Sequence, residues 1–268
     1  MSNTRPAAVA GMFYEGSPGR LREDVAGFLS QAVLAEAEGA KAPKAIIAPH
    51  AGYIYSGSTA GFAYATVKPL AGQIKRVVLM GPAHRVYTEG LAASRADAFA
   101  TPLGDVPIDQ DCTRRLVDEF PFVHYQDEVH VMEHSLEVQL PFLQEVLADF
   151  SLVPFAVGAA SPAQVEAVLD RLWDGDETLI VISSDLSHYR SYEAAREIDA
   201  FTSGQIQNLT PDALTGEHAC GYLPISGLLR AASKRGLNCR ILNTRSSGDT
   251  AGPRDRVVGY GAYAFYPA

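Results

Sequence analysis

Apolar residues in this chain gather in short runs separated by stretches of mixed character. The runs at 45–48, 76–80, 152–157, 178–182, 238–242 and 257–265 are rich in β-branched side chains. Strands covered on both faces read this way. The stretches between them carry apolar residues at helical spacing. One begins at Ser17, followed by Pro18, and continues through Val25, Phe28, Leu29 and Val33. A Ser ahead of an early Pro is a helix start. Further helices are expected at 58–67, 109–119, 133–148, 162–172, 192–207 and 221–234. Strands alternating with helices predict an α/β protein, a single-domain three-layer α/β/α sandwich over 1–268. The run 257–265 alternates in part, so an antiparallel partner near one edge is expected and the central sheet is mixed. No repeat, low-complexity linker or composition break divides the chain.

Composition adds exclusions. Of 268 residues, 47% are hydrophobic and 20% charged, which suits a packed core and not a disordered segment. No apolar run nears the roughly 20 residues of a membrane-crossing helix. The first residues also lack the apolar core of a signal peptide. The formal net charge of −9 argues against nucleic acid as a partner, since such binding rests on basic surface. Ten acidic side chains stand against two basic ones between 109 and 149, and six basic against two acidic between 231 and 256. Both segments read as solvated faces. The cysteines at 112, 220 and 239 form no CxxC pair and no disulfide framework, so the expected setting is a reducing cytoplasm.

Three of the buried runs end alike. The first leads into Pro49-His50-Ala51-Gly52-Tyr53, the second into Gly81-Pro82-Ala83-His84, and 178–182 into Ser183-Ser184-Asp185-Leu186-Ser187-His188-Tyr189. Ligands in α/β sheets gather beyond the carboxyl ends of the strands. One loop histidine is more often a plain hydrogen-bonding residue, but three in equivalent places point to a shared site. Histidine is the commonest transition-metal ligand and the commonest general base near neutral pH, so the cluster suits a metal with an added acid/base. Cys220 precedes an apolar helical stretch, where unpaired amides lower a thiol's pKa and favour the metal-binding thiolate. A small buried hydrophobe is its plainer reading. Cys112 and Cys239 read as structural.

His130-Val-Met-Glu133-His134 fits the H-x-x-E-H zinc-protease pattern, which needs both histidines on one helix. Glu133 and Glu137 instead suit the acidic first turn of the 133–148 helix, leaving His130 outside it. No dinucleotide loop, Walker sequence or nucleophile elbow is present. Residues 243–249 read either as a plain turn or as polar contacts at the mouth of the site.

These residues resemble the Memo family, whose bacterial and archaeal members are also called AmmeMemoRadiSam system protein B. The resemblance runs over essentially the whole chain. It covers Ala10-Gly-Met-Phe-Tyr14, Pro49-His50-Ala-Gly-Tyr53 with Ser56-Gly57, and Gly81-Pro82-Ala83-His84. It continues through Glu133-His134-Ser-Leu-Glu137 with Leu140-Pro141, Ser184-Asp185-Leu-Ser-His188-Tyr189, Cys220-Gly221 and Gly259-Tyr-Gly-Ala.

The family is similar in fold to class III extradiol ring-cleaving dioxygenases, which hold one non-haem iron(II) with two histidines and a carboxylate. In Memo proteins the corresponding ligands are two histidines and a cysteine. The resemblance thus implies His50, His84 and Cys220 as metal ligands, with iron(II) foremost and copper or zinc as alternatives. It gives His188 the place of the acid/base, sets Asp185 near it, and has His134, Glu137 and Tyr53 lining or bracing the pocket. A thiolate in place of the carboxylate softens the site and adds an oxidisable ligand, so catechol cleavage is not inferred. What the resemblance implies is a metal-dependent oxidoreductase acting on a small molecule or peptide, with a functional link to radical-SAM and AMMECR-type proteins. The alternative is a non-catalytic module that binds metal or a (phospho)peptide in the same pocket.

Overall fold

The structure, a computed structural model, describes residues 3–32, 42–173 and 175–268. Its strands are β1 (Thr4–Arg5), β2 (Ala45–Ala48), β3 (Arg76–Pro82), β4 (Leu91–Ala93), β5 (Ala98–Thr101), β6 (Gly104–Pro107), β7 (Val123–Tyr125), β8 (Ser151–Val157), β9 (Thr178–Ser183), β10 (His188–Arg190), β11 (Asn238–Ser246) and β12 (Val257–Tyr266). Its α-helices are α1 (Pro18–Gln31), α2 (Tyr53–Ala65), α3 (Gln110–Glu119), α4 (Asp127–Val131), α5 (Leu140–Val146), α6 (Pro162–Leu172), α7 (Tyr192–Gln207) and α8 (Tyr222–Lys234).

Among the described residues nine strands form one sheet in the order β10–β12–β2–β9–β3–β8–β4–β7, with β11 paired to β12. At its centre β2, β9, β3 and β8 run parallel. β12 is antiparallel to β2, and β4 is antiparallel to β8, so the sheet is mixed. Alternate residues of the central strands enter two cores. Ile46, Val77, Leu79 and Val181 pack with Leu21 and Val25 of α1, Tyr64 of α2 and Phe142 of α5. Ile47, Val78, Met80 and Ile182 pack with Val165 of α6, Leu228 of α8 and Ile206 of α7. With helices on both faces, an inward position exists for every residue of a strand, which is why the runs read as unbroken. The result is a three-layer α/β/α sandwich. No helix among the described residues is long and apolar enough to cross a membrane.

Helices α6 and α7 start where the sequence sets them, because their caps are local. Ser161 closes a capping box with Gln164, and the Ser191 side chain accepts from the Ala194 N–H. Other boundaries move. Helix α1 ends at Gln31, and Val33 lies outside the described residues. Helix α2 begins at Tyr53 rather than 58, since Gly57 serves packing and not a loop. A Cβ there would stand 2.6 Å from the Phe28 ring. The helix expected at 133–148 does not form as one piece. Residues Glu137–Gln139 make a 3-10 turn and the α-helix starts at Leu140, with Pro141 in its first turn. The sequence reading also passes over the small sheet β1–β5–β6. Its β6 exposes three of its four residues, which leaves little apolar pattern to read.

Candidate metal centre

Strands β2, β9 and β3 are parallel neighbours, so their carboxyl ends bring His50, Asp185 and His84 together. β12 runs opposite to β2, so its first residues reach the same end. Cys220 arrives from the helical layer, two residues ahead of α8. Gly221 permits that approach. A Cβ there would stand 2.7 Å from the Ser184 Cβ, and its N–H donates to Ser184 Oγ at 2.9 Å. One donor atom each from His50, His84 and Cys220 lies within 4.8 Å of the others, and His50 Nε2 is 3.4 Å from Cys220 Sγ.

Hydrogen-bond accounting settles which ring nitrogens are free. Ser183 Oγ donates its single proton to Ser135 O at 2.5 Å and accepts from Gln139 Nε2 at 2.8 Å. Toward His50 Nδ1, 2.9 Å away, it can therefore only accept, so Nδ1 carries the proton and Nε2 the lone pair. His84 Nδ1 lies 2.9 Å from Glu133 Oε1. That carboxylate also accepts the N–H groups of His84 at 2.5 Å, His134 at 3.0 Å and Ser135 at 2.9 Å. His188 Nδ1 donates to Leu186 O at 2.8 Å. In the neutral ring, each of these bonds places the proton on Nδ1 and the lone pair on Nε2, the tautomer that outer partners impose on metal-bound histidine.

The electrostatics follow from burial. His50 is held well below the usual histidine range, first by desolvation and then by the neighbouring His84 and His134. Burial pushes the Glu133 carboxyl up, but His84 and the surrounding N–H donors outweigh it and hold the pKa at about 2. Burial likewise raises Asp185 to about 6, against hydrogen bonds from the His50 and Ala51 backbone. The Cys220 thiol is pushed up to about 12 by desolvation and by Asp185. The expected lowering by the helix end is therefore overturned: losing water outweighs the α8 dipole, and the thiol stays protonated until a cation takes its proton's place.

The other expected residues divide. His134 lines the cleft with its ring stacked on His84, centroids 4.9 Å apart, and tilted against Phe13. Asp185 lines it too, but its Oδ1 accepts from the His50 N–H at 2.8 Å, and the bond that orients His188 comes from Leu186. Glu137 and Tyr53 lie behind the wall. Buried Glu137 pairs with Arg5 and accepts from Ala8 N, Val9 N and Tyr14 Oη, while Tyr53 Oη donates to Val138 O at 2.8 Å. His130 is buried in α4 with Nε2 3.0 Å from Ala92 O, whereas His134 lies beyond that helix. The zinc-protease pattern is therefore not realised.

Several residues that build the site escaped the sequence reading. Glu133 looked like part of a helix's first turn, and Ser183 like the first loop residue after a strand, with no role of its own. Arg5 holds the Glu133 loop by donating to His130 O at 2.8 Å and Glu133 O at 2.7 Å. Only the quoted motif blocks around 10–14 and 133–137 hinted at them. The cleft encloses about 620 Å³, and its walls include Phe13, Tyr55, Arg85, Tyr189, Arg256 and Tyr260.

This donor set fits a transition-metal ion. Two neutral imidazoles offer Nε2 and one thiol lies beside them, a mixed N/S set suited to iron, copper or zinc. A second grouping of His84, Glu133 and His134 fits less well, because both oxygens of Glu133 are already engaged by N–H donors.

The family model for Memo-like proteins matches residues 5–264. A MEMO1 family protein of Sulfolobus acidocaldarius is 33% identical, over 96% of this chain and 97% of its own. One from Saccharolobus solfataricus is 34% identical over 97% and 99%. The fold is shared with an uncharacterized protein of Escherichia coli K12 whose crystal structure superposes with a TM-score of 0.54 at 16% identity, covering 82% of this chain and 99% of that one. With a full-length family match and a third of its residues identical to such relatives, the chain belongs to the Memo family.

Proposed function

We propose that this protein is a metal-dependent oxidoreductase whose single ion is held by His50, His84 and Cys220, with iron(II) the leading candidate and copper or zinc the alternatives. The observation that carries the reading is the tautomer lock: partners that can only accept fix Nδ1–H on both ligand histidines and leave each Nε2 free beside a thiol. When bound, such an ion supplies Lewis-acid chemistry and, as iron or copper, one-electron chemistry.

The chain's own residues do the rest. His188, oriented by the bond from its Nδ1 to Leu186 O, turns Nε2 toward the cleft and serves as general base toward a substrate proton there. It then returns that proton as general acid. Asp185 ties the backbone of His50 in place and keeps the floor of the site in register with β9. Glu133 takes the charge that develops on His84 and fixes its ring plane. We take 1–268 as one domain, since residues from Phe13 to Tyr260 converge on a single cleft. A reducing cytoplasm suits the free thiol at Cys220.

The test is anaerobic reconstitution with iron(II), then metal analysis of the desalted protein. About one metal per chain is expected. The double variant His50→Ala/Cys220→Ser, checked for fold by circular dichroism, should bind none; equal metal content in a folded double variant sinks the reading. His188→Ala should keep the metal and lose turnover. If it binds metal and no oxygen-consuming turnover exists in either protein, the site is a binding module.

A further inference from the structure

A second cavity, of about 530 Å³, lies between α7 and the last residues of β11 and shares no lining residue with the metal cleft. One face of α7 supplies Tyr192, Arg196 and Asp199, and Thr244 and Asp249 stand across from them. Arg196 and Asp199 are three residues apart, the spacing at which opposite charges on a helix normally pair. Here neither takes part in any ion pair among the described residues. The other charges around the cavity are engaged. Asp249 accepts from Tyr192 Oη at 2.6 Å, Ser246 N at 2.8 Å and Ser246 Oγ at 3.0 Å. Arg245 turns to α2, where its guanidinium reaches Ser58 Oγ at 3.4 Å.

The two unpaired charges sit at different depths. Asp199 is only 7% exposed, a buried carboxylate without a cation. Its Oδ1 accepts from the Ser187 N–H at 3.0 Å, and burial pushes the carboxyl above its usual range against that bond. Gly259, which the metal centre does not use, makes the room, since a Cβ there would overlap Asp199 Oδ2. Keeping a carboxylate desolvated costs free energy unless a partner answers it. Arg196 is exposed, with its guanidinium 5.7 Å over the Tyr192 ring. The cavity therefore offers an anion at its floor and a cation at its rim, and no group of the chain neutralises either.

We propose that this cavity binds a free α-amino acid, with its ammonium group on Asp199 and its carboxylate on Arg196. A ligand of this class carries both charges a short distance apart, so one small molecule answers both groups. A bare anion would leave Asp199 without a cation, and a bare amine would set a second positive charge beside Arg196. The guanidinium suits a carboxylate through its paired N–H donors. The volume of about 530 Å³ leaves space for a side chain. None of these residues is a metal ligand, so the inference stands apart from the metal-centre reading.

The experiment is a ligand-observed NMR titration of the wild-type chain with each of the common L-amino acids in turn. For the tightest binder, the acid lacking its amino group and the amine lacking its carboxylate serve as controls. At least one amino acid should bind at millimolar concentration or below, and both controls should bind at least about tenfold more weakly. Arg196→Ala and Asp199→Asn, checked for fold by circular dichroism, should each weaken binding about tenfold with metal content unchanged. Asn keeps an acceptor for the Ser187 N–H, and Arg196 is exposed, so both variants should fold. Arg196→Lys should restore part of the loss. Absence of binding by every amino acid overturns the proposal, as does equal affinity for either control or unchanged affinity in either folded variant. The double variant His50→Ala/Cys220→Ser should bind the amino acid as the wild type does. Loss of binding there would place the ligand at the metal centre and overturn the separate site, whereas a wild-type protein that binds the amino acid but no metal refutes the metal centre alone.

Discussion

Glu133 and Glu137 lie four residues apart in one stretch of chain, and both are buried carboxylates, yet they serve opposite sides of it. Glu133 turns to the cleft and holds the His84 ring together with three backbone N–H groups. Glu137 turns away and binds the N-terminal segment through Arg5, Ala8, Val9 and Tyr14. The histidines divide the same way: His134 packs on His84, while His130 is buried against Ala92 and Phe99. Arg5 connects the halves, since it also donates to the carbonyls of His130 and Glu133. Residue type therefore says little about role here. The donors that the fold brings to each carboxylate decide it.

The division can be broken at either side. The largest effect is expected for Glu137→Ala, which leaves the Arg5 charge buried without its partner and two N–H groups without an acceptor. A loss of about 3–5 kcal/mol in denaturant unfolding is expected, and a loss under about 1 kcal/mol would show that the N-terminal segment is held by packing alone. Next is His130. Burial lowers its pKa from 6.5 to about 4. The unfolded chain takes up the proton first as pH falls, so its contribution is complete above pH 6.5 and is lost on the way down to about 4. That contribution is about 3 kcal/mol. His130→Gln, which keeps a donor for Ala92 O and cannot be charged, should flatten the stability profile across that window; an unchanged slope would remove His130 from the account.

On the cleft side, Glu133→Gln should lower metal affinity about 10–100-fold by withdrawing the charge behind His84. A competition titration against a chelator reads this. Unchanged affinity would erase the distinction between the two carboxylates. The smallest effect belongs to a position outside the loop. Ser161→Ala removes the α6 cap and should cost about 1 kcal/mol with metal affinity intact. If it also weakened the metal, the effects at Glu133 would have to be read as general loosening.

Much of the fold was legible because its signals are local. The apolar runs at 45–48 and 178–182 appear as β2 and β9 with one residue of difference, and Ser161 and Ser191 mark the starts of α6 and α7. The cluster of His50, His84 and Cys220 was legible from strand-end position and motif. What failed depended on distant partners. The helix expected from Glu133 requires its side chains to face a single layer. Instead Gln139 reaches Pro49 O and Ser183, Glu137 reaches Arg5, and Glu133 reaches His84. Helical spacing in the sequence carries no trace of those contacts. The thiol at Cys220 failed for a related reason, since depth of burial is a property of the packed layers.

By itself the sequence determined the alternation of buried strands and capped helices, and with it a sheet whose parallel strands carry a histidine or an acid at their ends. Hydrophobic periodicity and side-chain caps act within a few residues, so they survive in a linear reading. Tertiary structure decided which strands became neighbours and how near Gly221 lets Cys220 come. It also decided which ring nitrogen each histidine leaves free and which charges on α7 remain unpaired. Hydrogen bonds, desolvation and charge pairing depend on distances of a few ångströms between residues as far apart as Arg5 and Glu137, and only the folded chain sets those distances.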